Sequence, residues 1–248
     1  LEVLFVFGGP GRTTGRHPLD HSEYYERLVQ LLLQWIETRQ EGIFRLDVRL
    51  RPHGGKGLLT NTLGELKKYY SPTGLAAPFE RQALVKLRFV CGDQTLGAQV
   101  EAHRDTFVYS GQSWDVPAAL ALRQQQIKEL TERGTVNVKY SAGGIVDIEY
   151  AAQYLQVMHG HTVKTLHTPN TLEALAAAER ARILSTGEVR SLRDAYLFLR
   201  SVIDALRIVR GHAKDLVLPD TGSDEFIFLA RRMGYEGEDW KEIGRAHV

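Results

Sequence analysis

The run Phe44, Arg45, Leu46, Asp47, Val48, Arg49, Leu50, Arg51, Pro52 alternates apolar and charged side chains up to a proline, and its reading decides how the first part of the chain folds. Period-two spacing predicts a β-strand over 43–51, with Asp47, Arg49 and Arg51 on one face and Leu46, Val48 and Leu50 on the other. One carboxylate beside two guanidinium groups suits a hard cation bridged to phosphate, because carboxylate oxygens bind Mg²⁺ and arginine forks grip phosphate oxygens. The same face also suits a solvated edge strand of mixed charge. The strand alone leaves both readings open.

Upstream, residues 1–7 read as another strand, which carries Glu2. A loop containing Gly and Pro then leads into a helix from about Asp20 to Arg39. Leu28, Leu31, Leu32, Trp35 and Ile36 are expected to form its core-facing stripe, with Asp20 or Ser22 capping its start. If the two strands are neighbours in one sheet, Glu2 and Asp47 approach a shared cation. Phosphoryl and nucleotidyl transfer need such cations to neutralise phosphates and to align the attacking and leaving oxygens. Downstream, the turn Gly54, Gly55, Lys56, Gly57 either brings backbone N–H groups to a phosphate or simply joins two elements. A helix is expected near Leu63 to Tyr70, while Arg81 to Val90, which includes Lys86 and Arg88, reads equally as helix or strand.

With 43% hydrophobic and 25% charged residues over 248 positions, the composition is that of a soluble globular protein of one large or two ordinary domains. A net charge of +1 gives no global attraction to nucleic acid or to an acidic membrane, so an anion site has to be local. The apolar runs are too short to span a bilayer. The single cysteine, Cys91, excludes an internal disulfide and fits a reducing compartment. The histidines show no metal-ligand spacing. The sequence opens inside a strand without an initiator Met, so its beginning is expected to be missing, and residues 242–248 resemble a translated adapter and are expected to be a non-native tail.

From about Asp115 the pattern changes to successive amphipathic helices: Pro117–Arg133, Ile145–His159, Thr171–Leu184, Glu188–Val209 and Glu225–Met233. This predicts an α/β domain over 1–112 and a helical domain over 113–241. Within the second, Gly143 and Gly144 precede a helix whose first turns carry Asp147 and Glu149, with Lys139 on the approach. Acids are favoured at a helix start without any catalytic role, so capping or packing stands beside a ligand-orienting reading.

Three segments taken together, Leu46 to Pro52, Phe79 to Lys86 and Gly143 to Tyr150, resemble in order and spacing the glutamine synthetase adenylyltransferase and adenylyl-removing family. The resemblance implies an α+β architecture, a polymerase-β-type nucleotidyltransferase domain followed by an all-α helical bundle. It implies that Asp47 is the third metal-binding acid and Glu2 the second, where Asp is more usual, with the first preceding Leu1. It raises Arg49, Arg51, Arg81 and Lys86 as nucleotide-phosphate contacts, and Lys139, Asp147 and Glu149 as groups that support or orient the metal site from behind its direct ligands. The implied activity is attachment of AMP from ATP to a glutamine synthetase tyrosine, or its removal by phosphate with release of ADP, with Mg²⁺, in the cytoplasm. Glutamine synthetase and a PII signalling protein are the implied partners, and neither nucleic acid nor a membrane is expected. The competing expectation is a binding module of the same fold that turns nothing over.

Overall fold

Among the described residues two short strands and a few isolated bridges make up the strand pairing, and helices supply most of the remaining structure. The computed structural model describes residues 2–39, 46–212 and 215–235. In chain order these form β1 (Phe5–Phe7), α1 (His21–Arg39), β2 (Thr60–Thr62), α2 (Leu63–Tyr69), α3 (Pro78–Ala83), α4 (Gln94–Val108), α5 (Val116–Leu130), α6 (Ile145–His159), α7 (Thr171–Arg180), α8 (Thr186–Arg210) and α9 (Asp224–Arg232). This is an α+β chain with a two-stranded sheet. It divides into two units, residues 1–114 with 153–174, and residues 115–152 with 175–248.

In the first unit β1 and β2 run parallel, with Phe5, Val6 and Phe7 opposite Thr60, Asn61 and Thr62. The Glu26 carboxylate on α1 accepts from the main-chain N–H of Leu59 at 2.8 Å and of Thr60 at 3.3 Å, which fixes where β2 begins. Tyr25, one residue earlier, stacks on Phe7 at 4.9 Å. Thr62 then caps α2: its hydroxyl accepts from Glu65 N at 3.1 Å while the Glu65 carboxylate accepts from Thr62 N at 2.8 Å. The capped helix buries Leu63 and Leu66, which join Tyr70, Leu84, Val85, Val108, Tyr109 and Val157 in one apolar cluster. Val157 comes from the returning segment 153–174, which is bound to the unit by polar contacts as well. Gln82 Nε2 donates to Gln153 Oε1 at 2.9 Å, both side chains being buried. Gly160 is required by close approach, since a Cβ there would lie 2.4 Å from Tyr109 Cδ1 and 2.5 Å from Gln156 O.

Tyr109 stacks on His167 at 3.6 Å, and among the described residues nothing bonds its buried hydroxyl. Burial pushes this phenol up to about 12. A raised value favours the neutral form, so its contribution to stability is complete below about pH 10, the unfolded value, and is lost as pH rises toward 12. Tyr109→Phe removes both the ionisation and an unpaired polar atom. It is expected to leave stability at neutral pH unchanged or raised by up to about 1 kcal/mol and to move alkaline unfolding to higher pH, as followed by circular dichroism.

Among its described residues the second unit is mostly helical, with a bridge of Asn137 with Val217 outside the helices. Its longest helix, α8, starts at a Ser185–Glu188 capping box and stops at Gly211, whose φ of 69° continues into a left-handed turn. Val202, Ile203 and Leu206 of α8 and Phe226 and Leu229 of α9 are buried.

Three expectations are corrected. The strand expected over 43–51 reaches only a single bridge at Asp47 within its described part, residues 46–51. Arg51 N donates to Arg49 O at 2.9 Å, so the chain turns before Pro52 and the common face of Asp47, Arg49 and Arg51 is not formed. The expected core stripe of α1 faces outward: Leu28, Leu31, Leu32 and Trp35 are exposed, Trp35 by 65%. The inward face is set instead by Tyr25 on Phe7, Glu26 on β2 and the buried Val29. Finally, α4 had no counterpart among the expected helices, and residues 81–90 resolve into the end of α3, a 3₁₀ turn at Leu84–Lys86 and irregular chain. Residues 43–45 and the expected tail, 242–248, lie outside the described residues.

Candidate functional site

The two acid-bearing segments of the first unit lie side by side. Glu2 and Asp47 are in-register partners of a parallel bridge, with Val3 N donating to Asp47 O at 2.8 Å. Partners in register on adjacent extended segments project their side chains to the same face of the pair. Glu2 is exposed and Asp47 half-buried.

Asp47 already carries a cation. Arg49 Nε donates to its two oxygens at 2.9 and 3.1 Å, and Nη2 donates to Oδ2 at 2.6 Å. The Arg49 main-chain N–H adds a further bond to Oδ1 at 3.0 Å. These bonds, the guanidinium first, hold the Asp47 carboxyl at about 2, against the opposing effect of burial. The result is a carboxylate ionised throughout the physiological range, with positive charge placed on it. That donor chemistry fits a hard divalent cation, since Mg²⁺ is commonly held by one or two carboxylates together with substrate phosphates. Among the described residues no group of three or more His, Cys, Asp or Glu is placed to hold a metal ion.

Two other cations expected at the site, Arg51 and Arg81, hold main chain, and a third, Lys86, holds a hydroxyl. Arg51 is buried and donates to Val48 O at 2.5 Å, Gly57 O at 3.1 Å and Gly55 O at 3.4 Å. It closes the turn that begins at His53, whose φ is 64°. Gly57 admits no side chain, because a Cβ would sit 1.9 Å from Pro52 O. Arg81 is also buried and donates to Val108 O at 2.9 Å, at the end of α4, and to Gln112 O at 2.8 Å in the loop beyond it. Burial lowers its affinity for the proton. Lys86 Nζ donates to Thr171 Oγ1 at 2.7 Å. The structure thus brings Glu2, Asp47 and Arg49 together, while Arg51 and Arg81 donate to the unit's own carbonyls and the buried Arg81 Nη2 has no partner among the described residues.

Sequence reasoning missed the group formed by Tyr69, Tyr70 and Glu80. Glu80 is buried, and its carboxylate accepts from Tyr69 Oη at 2.9 Å, Tyr70 Oη at 3.1 Å and Ala77 N at 2.9 Å. Burial, followed by the Glu80 charge, raises the Tyr70 phenol far above its ordinary value, with a smaller contribution from Glu2. The signal available in the sequence was a Tyr pair followed ten residues later by an acid at the third position of a helix begun by Pro78.

In the second unit, the Arg123 guanidinium meets Asp147 at 2.7 Å and donates to Tyr140 O at 3.0 Å and Ser141 O at 3.2 Å. The other Asp147 oxygen accepts from Gly143 N at 2.7 Å, so this acid fastens the glycine turn at the start of α6. Gly144 is excluded from carrying a side chain by Lys139 O, 2.8 Å from its Cβ position. Lys139 Nζ sits 4.7 Å from the Tyr140 ring centroid, and Glu149 is half-buried on α6. A cavity of about 390 Å³ in this unit is lined by residues that include Asn137, Ser141, Phe198, Leu199, Phe226 and Met233. Among the described residues no helix is long and apolar enough to cross a membrane.

Residues 1–103 match the family model described as glutamate-ammonia ligase adenylyltransferase, and residues 118–246 match that described as GlnD PII-uridylyltransferase. The chain is 34% identical over 250 residues to the bifunctional glutamine synthetase adenylyltransferase/adenylyl-removing enzyme of Pseudomonas putida, covering 98% of this chain and 25% of that protein. Its identity to the protein of the same description from Hahella chejuensis is 32% over 246 residues, 96% of this chain and 25% of the relative. For the Nocardia farcinica protein it is 34% over 208 residues, 77% of this chain and 20% of the relative. The chain therefore spans about a quarter of the length of the curated relatives it matches.

Proposed function

This chain belongs to the glutamine synthetase adenylyltransferase/adenylyl-removing family, and we propose that it carries most of one nucleotidyltransferase unit of such an enzyme. In this reading the first unit, with its returning residues 153–174, is a polymerase-β-type nucleotidyltransferase and the helices of the second unit form the accompanying bundle. The observation that carries the proposal is the in-register pairing of Glu2 with Asp47, with Arg49 on the latter. Glu2 and Asp47 would hold Mg²⁺, which when bound supplies charge neutralisation to the nucleotide phosphates.

The chain's own residues do the rest. Asp47 stays ionised, and Arg49 moves from carboxylate to phosphate when nucleotide and cation arrive, since its exposed side chain can swing and guanidinium pairs with either anion. Arg51 fixes the turn at Gly54–Gly57 from within, and in this reading Lys86 supplies further positive charge to the phosphates. In the forward direction a tyrosine hydroxyl of glutamine synthetase attacks the α-phosphorus of ATP, losing its proton as pyrophosphate leaves. In the reverse direction inorganic phosphate attacks the phosphorus of the tyrosyl-AMP bond, and ADP leaves while the tyrosine oxygen takes up a proton. Both directions demand in-line alignment of attacking and leaving oxygens. In the full-length protein we place the reaction in the cytoplasm, under the control of a PII signalling protein.

Incorporation of labelled AMP into glutamine synthetase and phosphate-dependent release of ADP from the adenylylated form, assayed separately on the full-length protein, test the reading. Mg²⁺-dependent turnover in one of them is expected to depend on this unit and to be lost in Asp47→Asn. Nucleotide binding by this unit with no contribution to either turnover would replace it with a binding module of the same fold.

A further inference from the structure

We propose that Glu80 is a positioning residue for the turn at Gly54–Gly57, acting through Tyr69; this rests on the nucleotidyltransferase reading of the first unit. A buried carboxylate needs donors, and three converge on Glu80 from two directions, the hydroxyls of Tyr69 and Tyr70 at the end of α2 and the N–H of Ala77 at the start of α3. Tyr70, 1% exposed, anchors the arrangement in the core.

Tyr69 is only half-buried and faces the other way, toward the turn. Its ring meets the His53 imidazole edge to face, with centroids 5.0 Å apart and an interplanar angle of 68°. His53 occupies the left-handed region that residues with a side chain seldom adopt, so the conformation at the head of the turn needs outside support. Arg51 supplies it from within and Tyr69 from the flank. The turn in turn abuts the acid site, because the Cβ position of Gly54 lies 3.9 Å from Arg49 O, and Arg49 is the residue that grips Asp47. Glu80 thus sets the angle of Tyr69, Tyr69 supports His53, and the turn lies against the residue that would hand its charge from Asp47 to phosphate.

The test uses Tyr69→Phe and Glu80→Gln in the full-length protein. Tyr69→Phe keeps the ring on His53 and leaves the Tyr70 and Ala77 bonds to Glu80 in place, so its melting temperature is expected to stay within about 3 °C of the parent. In both variants amide hydrogen exchange over residues 53–57 is expected to quicken by about tenfold. KM for the nucleotide is expected to rise about fivefold with kcat nearly unchanged, the pattern of lost ground-state positioning. Unchanged exchange in Tyr69→Phe, or quicker exchange with no change in KM, overturns the role given to Glu80. Asp47→Asn in parallel separates the two ideas: full turnover in that variant sinks the functional reading, while the exchange data still decide whether Glu80 orders the turn.

Discussion

Asp47→Asn is expected to slow AMP transfer by about 10³-fold or more in whichever direction this unit works, several kcal/mol of lost transition-state stabilisation. Asparagine matches aspartate in shape and keeps an oxygen for the Arg49 N–H groups, so the substitution removes charge and little else. Stability should hardly change, because the Asp47–Arg49 pair is exposed to solvent, the Arg49 side chain by 81%, and exposed pairs contribute less than about 1 kcal/mol. The sign of its pH dependence is fixed by the carboxyl being held at about 2. Whatever stability the pair gives is present above the unfolded value of about 3.9 and fades as pH falls toward 2. Single-turnover rates with labelled ATP, read beside a thermal melt at neutral pH, check both halves. A variant with more than about a tenth of the parental rate, a loss below 1.4 kcal/mol, would remove Asp47 from the site.

The second large effect is structural. A chain ending at Trp114 is expected not to fold, although the sequence places a domain boundary close by. The returning residues 153–174 belong to the first unit, and without them the apolar cluster loses Val157, which is fully buried. Gln82 loses its buried amide partner, Lys86 loses Thr171, and Tyr109 loses the His167 ring. One buried aliphatic side chain is worth about 1.5–3 kcal/mol, and each stranded buried polar group costs about 1–3 kcal/mol. Their sum is comparable to the whole stability of a domain, about 5–15 kcal/mol. Urea titration followed by tryptophan fluorescence distinguishes the outcomes: a cooperative transition in residues 1–114 alone would show that the return is dispensable.

The adjacency of the two acid-bearing segments could be read from the sequence because each announces itself locally, Glu2 in an apolar run and Asp47 in an alternating one. The course of the chain beyond Asp47 could not be read. Arg51 satisfies three carbonyls of a turn that forms only when the chain reverses, and strand periodicity carries no trace of that. On α1 the hydrophobic stripe misled because a carboxylate, Glu26, decides the inward face by capping a strand start 33 residues later in the chain. The helix α4 escaped because its apolar positions, Leu96, Val100 and Phe107, are separated by Gly, Gln, Glu, His and Arg; its clearest local mark is Asp93, whose side chain accepts from Leu96 N at 2.7 Å. The return of residues 153–174 is a long-range choice made by burial, and no window on the sequence contains both partners.

That return also governs when the first unit can finish folding in the cell. As the chain emerges from the ribosome, Trp114 appears about 60 residues before Ala174, and at roughly 5–20 residues per second this is a wait of about 3–12 s. During that interval the nascent strands and the open apolar cluster are exposed without their closing segment, so early synthesis is the stage at which a trigger-type chaperone would have most to protect.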